Sequence, residues 1–393
     1  MKLQLEIKLP LGMTLPLLLA CAVLGCGGRS VAVDRPPVDG ADAGGSAGSG
    51  TGALDAGPGG SIDAGPGGSA DAGTGGGQDA GSGGGSGGGG GAGLTRLTTA
   101  GAAISLALDE RTIYWVESYS TQVPDRPPQR SYSIQALRKD LATPPAALIR
   151  EPGFAGSVVS NGGYLYWNWY QCTDFCNGAP AIVSRIPIAG GAVERLSTFF
   201  AAEGLDVDES FVYLANNNRP LKNEVWGGLW RIPKAGGTAE EIVPKHACTD
   251  AHVTGDLVLF NGISGITAWS RSAGKATALS TRPIPYRFLR PDGGSLFLAS
   301  YYGQVERVPL GGGDARVLWK GPPASIADFD AQGGVAFWVQ AASPGSKSCV
   351  LRGNADGSDV RCLDSAGTSY LAVRADAASV YFVRDGDVWR ASR

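Results

Sequence analysis

An aromatic or aliphatic triplet recurs seven times between residues 113 and 382, and no other feature limits the possible folds of this chain so strongly. The copies are Ile113-Tyr114-Trp115, Leu165-Tyr166-Trp167, Val212-Tyr213-Leu214, Val258-Leu259-Phe260, Leu296-Phe297-Leu298, Ala336-Phe337-Trp338 and Val380-Tyr381-Phe382, spaced 38 to 52 residues apart. Three copies are followed by Arg-x-Pro-x-x-Gly-Gly segments, Arg185 to Gly191, Arg231 to Gly237 and Arg307 to Gly313. A period of this length holds one small antiparallel sheet, which buries its faces only against the sheets on either side.

That pattern predicts an all-β chain forming a single seven-bladed β-propeller, with six or eight blades as the alternatives. In the third repeat Gly204 to Asp208 reads as the inner strand, Phe211 to Ala215 as the second, Gly228 to Pro233 as the third and Glu240 to Val243 as the fourth. Lys234-Ala235-Gly236-Gly237 is the turn between the last two, where glycine supplies the positive φ of a tight hairpin. Asp109, Asn161, Asp208, Asp292 and Asp376 fall at the first hairpin, where a short polar side chain caps backbone donors. The seventh repeat lacks a fourth strand, and Thr95 to Thr99 resembles one, so the two ends of the chain are expected to complete one blade and leave no open sheet edge.

The triplets with their Arg-x-Pro-x-x-Gly-Gly partners resemble the propellers built from Tyr-Trp-Thr-Asp repeats and, more loosely, exported bacterial propeller lipoproteins; the resemblance covers 95–393. That family closes with six blades, and the Thr-Asp half of its motif is missing here. Its receptor functions are therefore not implied.

Lys2 and Lys8 precede an apolar run from Leu9 to Gly25, broken by Pro10, Gly12 and Pro16. Such a run reads as a signal peptide (1–25) rather than a membrane span. Val23-Leu24-Gly25-Cys26 resembles a bacterial lipobox, with Cys26 the lipidated residue and Cys21 the alternative. Gly27 after the cysteine implies, within lipoproteins, the outer membrane, facing the periplasm or the surface. Residues 26–94 are Gly, Ala, Ser, Asp and Pro with little apolar bulk, a composition that cannot offset the entropy of ordering. A flexible tether with a root-mean-square reach of about 45 Å is expected there.

Removing Lys2, Lys8, Arg29 and Arg35 from the 33 basic residues, and Glu6 with seven tether Asp from the 36 acidic ones, leaves the 95–393 domain at +1. No basic stripe exists to neutralise phosphates, so nucleic acid is not an expected partner. A membrane through the lipid anchor and an envelope protein or glycan are the expected partners, with a monomeric ring and no cofactor.

Two places could hold a ligand. Long connections between second and third strands at Glu117 to Ser131, Trp169 to Pro180 and Asn216 to Gly227 are expected to raise a ridge bearing Tyr119, Tyr132, Trp169, Tyr170, Phe175 and Trp226 beside Arg126, Arg130 and Arg219. Aromatics next to arginine are typical of contact surfaces. Aligned inner strands also place Asp206, His252, Arg290, Asp328 and Arg374 at one depth of the channel, with Ala107 and Val159 in the first two blades. Alternating charges there read as a self-compensating ring, or as a site.

His246, Cys248, Asp250 and His252 follow a period of two, yet match no zinc spacing, and no metal is assigned. Oxidation after export is expected to pair Cys349 with Cys362 across a hairpin and Cys172 with Cys176 within a loop. Cys248 is left over. The favoured function is an envelope-anchored, non-catalytic binding module. The alternatives are a propeller hydrolase or lyase with a channel-centred active site and a structural outer-membrane assembly factor. No nucleophile elbow or sialidase-type box is present.

Overall fold

The computed structural model describes residues 93–393 apart from 100, 124–125, 172–179, 200–201, 218–226, 263–264, 281, 283, 324 and 343–346. Seven four-stranded antiparallel sheets follow one another around a ring, and no helix occurs among the described residues. The third blade runs Gly204–Val207, Phe211–Asn216, Gly228–Pro233 and Glu240–Val243, close to the bounds expected from sequence. Its Gly236 and Gly237 adopt φ of 83° and 133°, values that a side chain with a Cβ rarely reaches. The seventh blade is closed by Thr95–Arg96, which pairs with Asp387–Ser392 through Arg96 and Trp389. Arg96 further holds Asp387 at 2.5 Å.

Tyr, Trp and aliphatic residues dominate the second strands because each blade is covered on both faces, so these strands read as unbroken apolar runs. The buried core is divided into seven clusters, each drawn from two neighbouring blades. Tyr114, Val116 and Ile134 of the first blade meet Leu165, Trp167 and Ile186 of the second; Leu106 and Trp115 meet Tyr381 and Val383 of the seventh. Stability is thus built at the junctions between sheets.

The first hairpin carries a recurring cap. Asp109 accepts from the amides of Arg111 and Thr112, each at 2.7 Å, and from the Tyr114 hydroxyl at 2.6 Å. Asp208 does the same with Ser210, Phe211 and Tyr213. A carboxylate five residues before the blade's tyrosine therefore fixes the turn and occupies the phenol that would otherwise be buried unpaired.

Cys349 and Cys362 form a disulfide across the third and fourth strands of the sixth blade, with Cα atoms 6.0 Å apart. Cys21, Cys26, Cys172 and Cys176 lie outside the described residues, as does the tether.

Candidate functional site

Inner strands bring five blades' polar side chains to the axis. The residue paired with the blade's central aromatic or aliphatic position is Asp206 (opposite Tyr213), His252 (Leu259), Arg290 (Phe297), Asp330 (Phe337) and Arg374 (Tyr381). Asp328 does not hold this place. It lies two residues earlier, and Asp330 is the sixth blade's equivalent of Asp206. Counting back a constant seven residues from the aromatic would have found it: both carboxylates point to the same side of the strand, and only register separates them.

These groups form one chain of contacts. The His252 ring reaches Asp206 through Nδ1 and Asp250 through Nε2, each at 3.3 Å. Asp250 also accepts from Arg290 Nη1 at 2.8 Å and from the Leu289 amide at 3.0 Å. Arg290 contacts His252 Nε2 directly and approaches Asp330 through Nε at 3.7 Å. Asp328 repeats the Asp250 arrangement two junctions further on, accepting from Arg374 Nη1 at 2.7 Å and the Val373 amide at 2.9 Å. A carboxylate on one blade thus clasps both a guanidinium and a backbone N–H of the next, a charge-assisted pairing that locks the angle between blades.

The environment sets their ionisation. Burial and the neighbouring Arg290 both oppose a proton on His252, but the Asp250 and Asp206 carboxylates outweigh them and hold the imidazole above its ordinary value. Burial also disfavours the Asp250 anion, yet Arg290 and His252 hold it well below the usual carboxylate range. For Asp330 burial wins over Arg374 and Arg290, and its carboxyl is raised. A cavity of about 280 Å³ opens beside this chain, with Ala107, Val158, Val159 and Leu205 on the opposite wall.

The expected aromatic ridge is absent from the described rim. Tyr132, Trp169 and Tyr170 are all buried. Trp167 donates to the Tyr132 hydroxyl at 3.1 Å, Trp169 to Ser184 at 3.1 Å and Tyr170 to the Ala202 carbonyl at 2.9 Å. They are strand residues facing the next blade, where their size is used in packing. Phe175, Arg219 and Trp226 lie outside the described residues.

Glu117 to Ser131 is not a loop either. Second and third strands of the first blade extend as Thr112–Val123 and Arg126–Arg138, pairing through Ser120 with Arg130 and Val123 with Arg126. The neighbouring strands stop short, at Ala103 opposite Glu117 and at Pro152 opposite Ser131. Residues 118–123 and 126–130 therefore form a two-stranded arm, with Ser120, Thr121, Gln122 and Gln129 exposed. Tyr119 lies half-buried at its base, under the Arg150 guanidinium at 5.1 Å, with its hydroxyl donating to buried Glu117.

The period-two cluster separates as well. Its strand begins only at Ala251. His246 packs edge-on to Phe260 at 5.7 Å, Cys248 is buried with its thiol pushed up to about 12 by burial, and only Asp250 and His252 meet. Such a thiol is a core group rather than a nucleophile. Among the described residues no group of three or more His, Cys, Asp or Glu could hold a metal ion.

No protein-family model and no curated protein sequence matches the chain. Among solved structures it is similar to the computationally designed Ika8 protein, with 10% identity over 76% of this chain and 99% of that one and a TM-score of 0.49. A nidogen/laminin complex matches at 16% identity over 52% of this chain and 82% of that one, with a TM-score of 0.40. Raptor of Chaetomium thermophilum matches at 11% identity and a TM-score of 0.51, over 77% of this chain but only 28% of the Raptor chain. At such identity the Raptor likeness reports fold alone, and the fold it reports is the β-propeller.

Proposed function

We propose that the chain is an envelope lipoprotein, anchored through Cys26 and carried on a long tether, whose propeller is a non-catalytic interaction module for an envelope protein or glycan. The single observation that carries this reading is the arm at 118–123 and 126–130, which leaves the first blade with paired backbone and exposed polar side chains. Pro127 and Pro128 remove two amide donors from its outer strand, a device that stops an exposed edge from pairing indiscriminately. An element protected in this way suits selective contact.

The commitment of the Asp328 carboxylate to Arg374 Nη1 at 2.7 Å and to the Val373 amide at 2.9 Å supports a binding role over the hydrolase or lyase alternative. The looser likeness to exported propeller lipoproteins favours the same reading over a fixed assembly subunit, for which a long tether has no use.

Replacing residues 120–129 by a two-residue Asn-Gly turn tests the reading in an affinity capture from native envelopes. The expected result is loss of the captured partner with an unchanged unfolding midpoint. Undiminished capture by the shortened protein would refute the arm's role. Cys26→Ser should release the protein from the membrane fraction.

A further inference from the structure

We infer that the axial cavity is a binding site for a small neutral polyhydroxylated ligand of monosaccharide size, held by Asp330, Arg374 and Gln332 against the apolar wall formed by the first three blades. This site is separate from the arm, and its fate leaves the rim reading untouched.

Three observations converge. First, charge at the channel is close to balanced. Asp206, Asp250, Asp328 and Asp330 face Arg290, Arg374 and a His252 whose proton is favoured. A strongly charged ligand would gain little there and would lose its hydration.

Second, the pairing is incomplete on the cavity side. Arg374 spends Nη1 on Asp328 and on the Val373 carbonyl. Among the described residues its Nε and Nη2 have no hydrogen bond, and neither has the side-chain amide of exposed Gln332 at the mouth. Asp330 gives one oxygen to the Ala375 amide at 2.7 Å and the other lies 3.7 Å from Arg290 Nε, with the Ala331 amide also supporting the carboxylate. Arg374 and Asp330 both line the cavity, yet form no ion pair with each other within 4.0 Å. Free donors and an under-used acceptor facing one space are matched by a group that both donates and accepts, which is a hydroxyl.

Third, the facing wall carries Ala107, Val158, Val159 and Leu205, and its Ser157 and Ser160 already donate their hydroxyls to the Glu203 and Leu108 carbonyls. It suits the C–H face of a sugar ring better than a fully polar ion. The cavity, at about 280 Å³, lies just under the range of drug-sized pockets. One ring fills it.

Titration calorimetry on the full chain with methyl β-D-glucoside, methyl β-D-galactoside and N-acetylglucosamine, beside glycine, acetate and choline as charged probes, decides the matter. At least one sugar should bind saturably at a Kd of about 10 mM or tighter, and the charged probes more weakly or not at all. Asp330→Asn should weaken that sugar about tenfold, Gln332→Ala about threefold, and Val159→Phe, which fills the space without touching any ion pair, should abolish binding. Gln332 is exposed and tolerates truncation, so its variant remains informative should Asp330→Asn fold poorly. The inference is overturned if none of the sugars binds at up to about 100 mM, if Val159→Phe binds as well as the parent, or if a charged probe binds more tightly than every sugar.

Discussion

The two sides of the ring solve the same problem in opposite ways. In the first and second blades the axial position is Ala107 or Val159, and the junction between them is closed by aromatic bulk, with Trp167 wholly buried against Tyr132. From the third blade to the seventh the same position is polar or charged, and the third-to-fourth, fourth-to-fifth and sixth-to-seventh junctions are crossed by carboxylate contacts. Aromatic packing gains stability by area and tolerates small adjustments of angle; a carboxylate clasp, added to the apolar cluster that every junction has, gains less free energy but holds one geometry. A cavity needing fixed polar groups on one wall and a smooth surface on the other sits where these two constructions meet.

Truncation of the apolar side should cost most. Trp167→Ala removes a fully buried indole and leaves the Tyr132 hydroxyl without that donor, so a loss of about 3–5 kcal/mol is expected in urea unfolding. On the clasped side, Asp250→Ala leaves Arg290 and the Leu289 amide without their shared acceptor, at a cost of about 3 kcal/mol. Replacing both partners, as Asp250→Leu with Arg290→Met, should recover most of that loss. A double variant no better than the single one would mean that the clasp stabilises in its own right, and the contrast between the two sides would fail.

The strand pattern was readable wherever local chemistry and global packing agree. Strands Gly228–Pro233 and Glu240–Val243 were placed correctly because an Arg-x-Pro-x-x-Gly-Gly segment carries its own turn. Closure of the seventh blade by Thr95–Arg96 was legible from a missing fourth strand. The rim was misread for a physical reason: Tyr-Trp-Asn-Trp-Tyr at 166–170 is covered on both faces, and no period distinguishes such a strand's end from an aromatic loop. In sequence Pro127 and Pro128 argue against a paired strand at the arm, although at an edge they are tolerated. Asp250 is not legible in sequence as a channel group because it precedes its strand, nor is Asp330, because Asp328 offers the same chemistry two residues away.

A smaller effect separates the two sides by pH. His252 holds its proton more tightly in the folded ring than its ordinary value, so the stability it contributes is complete below the unfolded imidazole value, near 6.5, and declines as pH rises through the folded one. Urea midpoints should therefore fall between about pH 6 and pH 9, more for the parent than for His252→Gln. Trp167→Ala should keep the parent's slope, because the apolar junction contains no group that titrates there. An identical slope in His252→Gln would remove the imidazole from the account.

The least costly change tests whether clasping is confined to the channel. Just beyond the third strand of a blade, a basic residue reaches back to the first hairpin of the preceding one. Lys139 meets Asp376 at 2.7 Å, Lys234 meets Asn161 at 2.9 Å and Arg271 meets Asp208 at 2.6 Å. Lys139 and Asp376 are 15% and 27% exposed, so Lys139→Ala should cost less than about 1 kcal/mol. Asp208 is only 3% exposed and keeps the Tyr213 hydroxyl and two amides, so Arg271→Ala should cost more than Lys139→Ala yet less than Asp250→Ala. That ordering follows if the penalty tracks how deeply the abandoned carboxylate is buried and how many donors remain to it. Equal losses for all three in urea unfolding would make the ring's ionic contacts interchangeable, and would deny the channel clasps any special part in holding the cavity's polar wall.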